Sequence, residues 1–384
     1  MSIIRCKNTK NIHILIIIYN KSQIKNKNSR KTFVVSENNA IFTPNKTINI
    51  KNVMNDNIQL SVIIPVYNTQ EYLERCVNGV IANKGINMEI ILVDDGSTDT
   101  SPSLCDNYSS KYDFIKAVHI SNSGPATAKN RGLEIARGEY VAMIDSDDEP
   151  KHDMFERMIN AAKKNDADIV CCNYLERYDD GSTRTFNYTN ETTVLDHYHG
   201  VEHFLMKKKI YTQCWTKIYR RGMLEQFGVR NVEGLKTDED FIFNICSFVH
   251  AQKTCIVDSP LYIYSIRGTS LSKDYFNKDI NAYINNRLLR FDIVDKSLRS
   301  YAKDNLKHAV FNRLFYSNEL LGRIALFPSH FSDKRTQSVI RYMRRHILYA
   351  LSVHREIGFS IMGCLMLLLP TPLYMRYRHN KLNK

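Results

Sequence analysis

The sequence predicts an α/β fold in which a sheet is flanked by helices and followed by a helical C-terminal region. Between residues 60 and 164, four apolar, strand-like segments alternate with four amphipathic, helix-like segments at short and regular spacing. Such alternation is typical of βαβ units, which bring parallel strands into one sheet through right-handed crossovers. From about residue 277 to 350 the pattern is helical over several segments.

The first predicted strand is a continuous apolar run, Leu60–Tyr67, of the kind that buried parallel strands show. Periodicity then assigns the segments that follow: helix 70–83, strand 89–94, helix 99–112, strand 114–120, helix 125–137, strand 139–145 and helix 152–164. Further along, the pattern predicts a strand at 168–174, a polar, turn-rich segment at 176–200, a helix at 201–209, strands around 211–219 and 255–264, and a helix that begins near Asp238.

Length and composition are those of an ordinary globular protein. The chain has 384 residues, of which 43% are hydrophobic and 24% are charged, and this excludes collagen-like, wholly disordered and multi-span membrane proteins. The formal net charge of +13 is concentrated at the two ends, and residues 1–57 alone hold eight Lys and two Arg against two acids. Charge at the termini indicates tails or a surface that contacts anionic lipid, and it argues against a nucleic-acid partner.

The nine cysteines are odd in number and include no CxxC pair. This pattern is typical of reduced, buried cysteines and disfavours a disulfide framework or a zinc site. The expected localisation is therefore cytoplasmic.

We divide the chain into four regions. Residues 1–57, rich in Asn, Lys and Ile, are expected to be a disordered basic extension, and an alternative is that the protein starts at Met54. Residues 58–270 are expected to form the α/β domain and residues 271–350 the helical region. Residues 351–384 are expected to be a basic and apolar tail.

The tail contains a 19-residue segment without charge, Ile357–Met375, which is flanked by Arg355 and Arg376. Its length would allow a membrane span, but two glycines and two prolines interrupt it. We expect an in-plane or re-entrant membrane anchor with basic side chains at its edges. The alternative is a buried core helix.

Polar side chains follow three of the first four predicted strands. Asn68 comes after the first strand, Asp94–Asp99 after the second and Asp145–Asp148 after the fourth. In open sheets of this kind, ligands bind at the carboxyl ends of the strands. The sequence therefore predicts a binding site at this edge of the sheet.

Two adjacent aspartates, Asp94 and Asp95, end the second strand before the chain turns through Gly96. Ser97 or Thr98 can cap the helix that follows, so part of this cluster has a purely structural explanation. A helix cap needs only one polar residue, however, and a carboxylate here can accept a hydrogen bond from a nucleobase imino N–H. Such a contact would select uracil or thymine over cytosine.

Three acids, Asp145, Asp147 and Asp148, lie within four residues at the end of a buried strand. They repel one another and lose solvation, and a cation would neutralise them. Carboxylate oxygens suit Mg²⁺ or Mn²⁺, and such an ion on a diphosphate stabilises it as a leaving group. The alternative is an exposed acidic turn that caps the helix near His152.

Four segments carry these features in a fixed order: Pro65–Asn68, Val93–Asp99, Gly124–Gly132 and Gly138–Asp148. In order and spacing they resemble the family 2 glycosyltransferases, densely over about 60–150 and more loosely to 270. The resemblance implies the GT-A fold, a Rossmann-like nucleotide-binding mixed sheet flanked by helices. It also implies a nucleotide-sugar donor.

The resemblance assigns a nucleotide site to residues of this chain. Asp94 and Asp95 match the acids that recognise the base and the ribose, and Asp95 is preferred for uracil. Pro65, Tyr67 and Asn68 would line the nucleotide pocket, with Tyr67 near the base. The expected donor is a UDP-sugar.

The resemblance also assigns a metal site. Asp145, Ser146 and Asp147 match the family's DxD motif, with Asp147 as the preferred metal ligand and Asp145 beside it. Lys129 stands where relatives carry an arginine, so it keeps the charge but lacks the planar fork. We expect Lys129 to contact the donor, and the alternative is a solvated helix residue.

The segment Thr237–Phe243 resembles the Glu-Asp pair that supplies the catalytic base in this family. Asp240 is the expected base for the acceptor hydroxyl, with Glu239 as its support or substitute. The alternative is acidic charge that the helix dipole favours at a helix N-terminus. Trp215 and Asp148 are weaker candidates for the acceptor and sugar pocket, and for Trp215 the alternative is core packing.

These features predict an inverting glycosyltransferase of the hexosyl or N-acetylhexosaminyl type, with Mn²⁺ or Mg²⁺ as cofactor. The expected acceptor is a glycan or a lipid-linked glycan of polysaccharide or capsule biosynthesis. We expect a peripheral protein on the inner face of the cell membrane, without a nucleic-acid partner. Two alternatives are a metal-dependent phosphotransferase or nucleotidyltransferase that uses Asp145 and Asp147, and a non-catalytic protein that binds sugar nucleotides.

Overall fold

The computed structural model describes residues 58–187, 191–235, 237–266, 279–353 and 369–382, together with five short strands nearer the N-terminus. The chain divides into two units, residues 1–58 and 59–384. The disordered extension expected over 1–57 stays a prediction, because most of these residues lie outside the described ones. The first unit contains an antiparallel pair, β1 (Ser2–Arg5) and β2 (Leu15–Ile18), and an antiparallel sheet of β3 (Val34–Val35), β4 (Ala40–Thr43) and β5 (Lys46–Asn49).

A mixed sheet organises the second unit. Its described strands are β6 (Leu60–Val66), β7 (Met88–Asp94), β8 (Ile115–His119), β9 (Tyr140–Met143), β10 (Glu149–Pro150), β11 (Ile169–Tyr178), β12 (Thr183–Phe186), β13 (Thr193–Asp196), β14 (Lys217–Arg220) and β15 (Lys253–Ile266). Their order is β10-β15-β11-β14-β9-β6-β7-β8, with β12 beside β11 and β13 beside β15. The strands β6 to β9 are parallel, and β14 joins β9 to β11 with antiparallel pairing. The predicted α/β fold is confirmed.

Helices cover both faces of this sheet. They are α1 (Leu73–Ile81), α2 (Ser101–Lys111), α3 (Pro125–Ile135), α4 (Met154–Asn165), α5 (His197–Leu205), α6 (Arg221–Gln226) and α7 (Glu239–Phe248). Successive residues of a buried strand point to opposite faces. On β6, Ile63 therefore packs with the side chains of α3 and α7, whereas Val62 and Ile64 pack with those of α1 and α4.

The helical C-terminal region consists of α8 (Ile280–Tyr301), α9 (Leu306–Ile324), α10 (Lys334–Val353) and α11 (Thr371–Leu382). Helix α8 connects it to the α/β part. Its residues Phe291 and Val294 belong to the apolar cluster on the α7 face of the sheet. Its residues Tyr283 and Ile284 belong to a separate cluster with α9, α10 and α11. The helical region is therefore packed against the sheet domain.

Two strands in the segment predicted as turn-rich, β12 and β13, were not predicted. Most of their residues are exposed, so they carry no apolar alternation that periodicity could detect. The strand predicted at 211–219 begins only at Lys217, because Cys214–Thr216 forms a 3₁₀ turn.

None of the helices within the described ranges is long and apolar enough to cross a membrane. Residues 357–368, which are most of the predicted anchor, lie outside those ranges. At its far end, Tyr374 and Met375 are 5% and 0% exposed and pack against α8, α9 and α10. Two residues at this end of the apolar segment are therefore buried in protein, whereas the neighbouring Leu373 is 51% exposed.

We expect Gly132→Ala to lower the free energy of unfolding by about 1–3 kcal/mol, because α3 packs closely on β6. A Cβ at Gly132 would lie 2.3 Å from Ile63 Cγ2. Gly222 in α6 is the matched control, since a Cβ there meets nothing within 4 Å. Gly222→Ala should be neutral or stabilising by up to about 1 kcal/mol. Urea unfolding measures both, and equal stability of the two variants would contradict the prediction.

Candidate active site

The loops that follow β6 and β7 are tied together at the predicted edge of the sheet. Asn68 has a left-handed backbone with φ of 50°, which asparagine adopts more readily than most residues. Its side-chain oxygen accepts a hydrogen bond from the Thr98 amide at 2.8 Å, and its own amide donates to Ser97 Oγ at 3.0 Å. Beside it, Tyr67 is 44% exposed. Tyr67 and Asn68 therefore lie next to the Asp94–Asp99 turn.

Asp94 and Asp95 are both 3% exposed, and each carboxylate accepts hydrogen bonds from backbone amides of the protein. Asp95 accepts hydrogen bonds from the amides of Ser123 and Gly124 at 2.7 and 2.8 Å. Asp94 accepts one from the Ser97 amide at 3.1 Å. A carboxylate has about four acceptor sites, so each side chain retains capacity for a ligand. Their contact with a base or ribose stays a prediction.

His119, at the end of β8, contacts the carboxylate of Asp94 through its imidazole ring. Its Nδ1 lies 2.9 Å from Asp94 Oδ2, and its Nε2 lies 3.1 Å from Asp106 Oδ1. The hydrogen bonds to Asp94 and then Asp106 raise the pKa of His119 above 6.5.

We expect His119→Gln to destabilise the protein more at pH 6 than at pH 9. Because the fold raises the pKa of the His119 ring, its ion pairs contribute their full stability below the unfolded-state pKa of about 6.5. This contribution is lost as pH rises through the higher folded-state pKa. Because the side chain is 41% exposed, screening limits the effect to about 0.2–1 kcal/mol. Urea unfolding at both pH values measures it, and an equal loss at the two pH values would refute the ion-pair explanation.

The three acids after β9 form one cluster, in which oxygens of Asp145, Asp147 and Asp148 lie within 4.8 Å of one another. Burial raises the pKa of Asp145 to about 6, although Lys129 opposes this. Burial and then Asp145 raise the pKa of Asp148 well above its usual range. The cluster is therefore electrostatically strained as it stands, and a cation would relieve the strain.

Tyr262 of β15 joins two members of this cluster. Its hydroxyl donates to Asp148 Oδ2 at 2.9 Å and accepts the Asp145 amide at 3.3 Å. The other Asp148 oxygen accepts the Ser265 amide at 2.8 Å. Trp215 is 4% exposed and stacks on Tyr262, with ring centroids 4.4 Å apart. Trp215 thus packs behind the acid cluster, and its contact with a sugar stays a prediction.

Arg75 of α1 also contacts the acid cluster, through the backbone of Asp147. One guanidinium nitrogen, Nη2, donates to the Asp147 carbonyl at 2.9 Å and to Ser265 Oγ at 3.1 Å. Neither Arg75 nor Tyr262 belongs to a motif that sequence reasoning used. An arginine inside a helix and a tyrosine inside a strand carry no local signal of a site.

Lys129 of α3 and Asp240 of α7 form a buried ion pair, with Nζ 2.8 Å from Oδ1. Lys129 is 4% exposed, so it is not the solvated helix residue that was the alternative. The second oxygen of Asp240 accepts the Cys214 amide at 3.0 Å. Burial by itself would raise the pKa of Asp240, but the Lys129 charge and these hydrogen bonds bring it below its usual value. Asp240 is therefore ionised at neutral pH.

Glu239, the neighbour of Asp240, has a different electrostatic environment. Burial and then the Asp240 charge raise the pKa of Glu239. Lys129 also interacts with Asp145 and Glu239 through its charge. Asp145 of the acid cluster and the two carboxylates of α7 thus lie within electrostatic reach of one ammonium group, which contacts Asp240 directly.

Comparisons with known proteins agree with these motifs. The sequence model of the family described as Glycosyl transferase family 2 matches residues 61–228. Glycosyltransferase EpsH of Bacillus subtilis is 34% identical over 226 residues, which are 57% of this chain and 64% of EpsH. Glycosyltransferase YibD of Escherichia coli is 29% identical over 256 residues, 65% of this chain and 74% of YibD. The match to EpsH thus spans less than two thirds of that relative.

Solved structures show the same fold. The crystal structure of S. aureus TarS superposes with a TM-score of 0.54 at 20% sequence identity, covering 84% of this chain and 54% of that chain. The structure of TarS 1–349 in complex with UDP-GlcNAc superposes with a TM-score of 0.51 at 18% sequence identity, covering 77% of this chain and 92% of that chain. At such identity the likeness concerns the fold, which is GT-A. Residues 61–228 of this chain therefore match glycosyl transferase family 2 in sequence, and the chain is similar to these solved glycosyltransferase structures in fold.

Proposed function

We propose that this chain is an inverting glycosyltransferase that moves a hexosyl or N-acetylhexosaminyl group from a UDP-sugar to an acceptor hydroxyl in polysaccharide biosynthesis. The observation that supports this most is the convergence on Lys129. Its ammonium bonds Asp240 and interacts with Asp145 and Glu239. The proposed metal ligand and the proposed base therefore share one small region between β9 and α7.

A divalent cation fits the acid cluster, because its carboxylates offer hard oxygen ligands within 4.8 Å of one another. Asp145 and Asp147 would hold the ion. Asp148 is less suited, since both its oxygens already accept hydrogen bonds. When bound, Mn²⁺ or Mg²⁺ supplies Lewis-acid stabilisation of the charge on a diphosphate leaving group.

The carboxylates of α7 supply the proton acceptor. Asp240 takes the proton of the acceptor hydroxyl while the hydroxyl oxygen bonds to the anomeric carbon of the donor sugar. The bond between that carbon and the diphosphate oxygen breaks, its electron pair leaves with UDP, and attack from the opposite side inverts the configuration. Lys129 holds Asp240 in place and ionised. Glu239 is the alternative base, because its raised pKa is closer to neutrality.

Relatives with named substrates support a UDP-sugar donor. Poly(ribitol-phosphate) beta-N-acetylglucosaminyltransferase TarS of Staphylococcus aureus is 25% identical over 264 residues, and it has been solved with UDP-GlcNAc and with UDP. Poly(ribitol-phosphate) beta-glucosyltransferase of Bacillus spizizenii is 26% identical over 226 residues. In this chain, Asp94 and Asp95 would contact base and ribose, and Pro65, Tyr67 and Asn68 would line the pocket.

A donor-hydrolysis screen tests this function. The full chain is incubated with UDP-, GDP-, dTDP- and CMP-sugars, with and without Mn²⁺, and the released nucleotide is measured. We expect metal-dependent release of UDP from a UDP-sugar, and NMR of the transfer product should show an inverted anomeric centre. Release of phosphate from simple esters would support the phosphotransferase alternative. UDP binding without turnover on any glycan acceptor would support a non-catalytic protein.

We further propose that the acceptor is a glycan or lipid-linked glycan and that the protein works peripherally on the inner face of the cell membrane. The basic residues at both ends of the chain support this, since anionic lipid attracts them. Cosedimentation with phosphatidylcholine vesicles, with and without phosphatidylglycerol, tests it. We expect binding to the anionic vesicles that weakens with salt, and no binding to either would refute the proposal.

A further inference from the structure

Asp238, which directly precedes the two carboxylates of α7, has an unusual backbone. Its φ is 67°, in the left-handed region, where an aspartate is uncommon, and its side chain does not cap the helix. Three acids in succession, from Asp238 to Asp240, also repel one another. Lys129 compensates Asp240. Something else must hold Asp238 in this conformation.

Two arginines of α8 hold it. Arg290 Nη1 lies 2.8 Å from Asp238 Oδ1, and Arg287 Nε lies 3.3 Å from Asp238 Oδ2. The side chains of Arg290, Arg287 and Asp238 are only 2%, 5% and 8% exposed. Charges so deeply buried interact strongly, because little water screens them. Asp238 is thus clamped between two guanidinium groups.

The arginines are themselves fixed by their surroundings. The Arg290 guanidinium lies between the rings of Phe241 and Tyr316, 3.3 and 3.5 Å from their centroids, and also donates to Asn312 Oδ1 at 3.2 Å. Arg287 Nη2 donates to the Tyr283 hydroxyl at 2.9 Å. Planar guanidinium groups suit such stacked and forked contacts, which a lysine cannot reproduce. Phe241 is part of α7, so this stacking ties Arg290 to α7 a second time.

We propose that Arg287 and Arg290 are positioning residues that set the place of Glu239 and Asp240 through Asp238, so that α8 supports the catalytic carboxylates. The inference rests on the proposed function, since it concerns the base of that reaction. The first turn of α7 is held at two points, with Lys129 on Asp240 and the arginines on Asp238. A shift of φ at Asp238 would move both carboxylates relative to the acid cluster.

Arg290→Lys tests the proposal, and Arg313→Lys is its control. Arg313 of α9 pairs with Asp295 of α8 at 2.7 Å and lies over the rings of Phe291 and Tyr342. It therefore links α8 and α9, which Arg290 also links through Tyr316 and Asn312. We expect Arg290→Lys to lower kcat about 10- to 100-fold, because small misplacement of a catalytic group has effects of this size. The KM for the UDP-sugar should stay within twofold. Arg313→Lys should leave both constants within twofold.

Hydrogen exchange provides a readout that needs no turnover. Amide exchange in peptides that cover 238–248 should accelerate in Arg290→Lys but not in Arg313→Lys. If the unmodified chain transfers no sugar, the proposed function fails, yet this exchange still tests the clamp. Should Arg290→Lys not fold, Arg287→Lys takes its place. The proposal would be overturned if Arg290→Lys changed neither kcat nor amide exchange. It would also be overturned if Arg313→Lys lost as much activity, or if Arg290→Lys lost donor binding in parallel with kcat.

Discussion

Asp240→Asn should lower kcat by about 10²- to 10⁴-fold, the range in which general-base catalysis contributes. The KM for the donor should change little, since the base acts on the acceptor. The same substitution leaves Lys129 buried without its partner. Unfolding free energy should therefore fall by about 3–5 kcal/mol, as when one member of a buried pair is removed. Steady-state kinetics and urea unfolding measure the two effects.

Lys129→Met, alone and combined with Asp240→Asn, separates catalysis from stability. The double variant removes both buried charges, so it should regain most of the stability that Asp240→Asn loses. It should not regain activity, because the carboxylate is still missing. Recovery of activity in the double variant would disprove the role of Asp240. A larger fall in kcat for Glu239→Gln than for Asp240→Asn would transfer the role of base to Glu239.

Asp147→Ala should abolish the metal-dependent release of UDP, with a loss on the order of 10³-fold or more. Metal-ion stabilisation of a leaving group is worth several kcal/mol, and each 1.36 kcal/mol is tenfold in rate. Without Asp147, the cluster retains Asp145 and an Asp148 whose oxygens are already bonded to Tyr262 and Ser265. Calorimetric titration with Mn²⁺ and UDP should show that metal binding is lost.

Asp148→Asn is the matched comparison, because Asp148 is fully buried in the same cluster. Its amide nitrogen cannot accept the hydrogen bond that one carboxylate oxygen accepts now, so unfolding free energy should fall by about 1–3 kcal/mol. Mn²⁺ binding should weaken less than in Asp147→Ala. If Asp147→Ala still responds to Mn²⁺ like the unmodified chain, the acid cluster is not the metal site.

The strands and helices of residues 60–165 could be predicted from the sequence almost to their ends, except for the two-residue strand β10. Leu60–Val66 and Met88–Asp94 are apolar runs that stop at polar residues, and burial on both faces of a sheet requires such runs. The strand Thr183–Phe186 could not be predicted, since it is mostly exposed and is held by pairing with β11. Periodicity reports burial, so a short strand that is mostly exposed escapes it.

The candidate site could be predicted only where its residues lie together in the chain. The acids Asp145 and Asp147 follow one strand, and their repulsion is visible in the sequence alone. Lys129 and Asp240 lie 111 residues apart, and nothing local connects them. The predicted helix residue at 129 becomes the partner of Asp240 because α3 and α7 pack on the same face of the sheet.

The sequence by itself determined the α/β alternation, the edge of the sheet that carries the acids and the similarity of residues 61–228 to glycosyl transferase family 2. These depend on hydrophobic period and on motifs within single loops. Only the tertiary structure decided which groups hold the acids: the charges of Lys129 on Asp240 and of Arg287 with Arg290 on Asp238, and a hydrogen bond from Tyr262 to Asp148. A buried charge is compensated by whatever the fold brings within a few ångströms, and that depends on strand order and helix packing between distant parts of the chain.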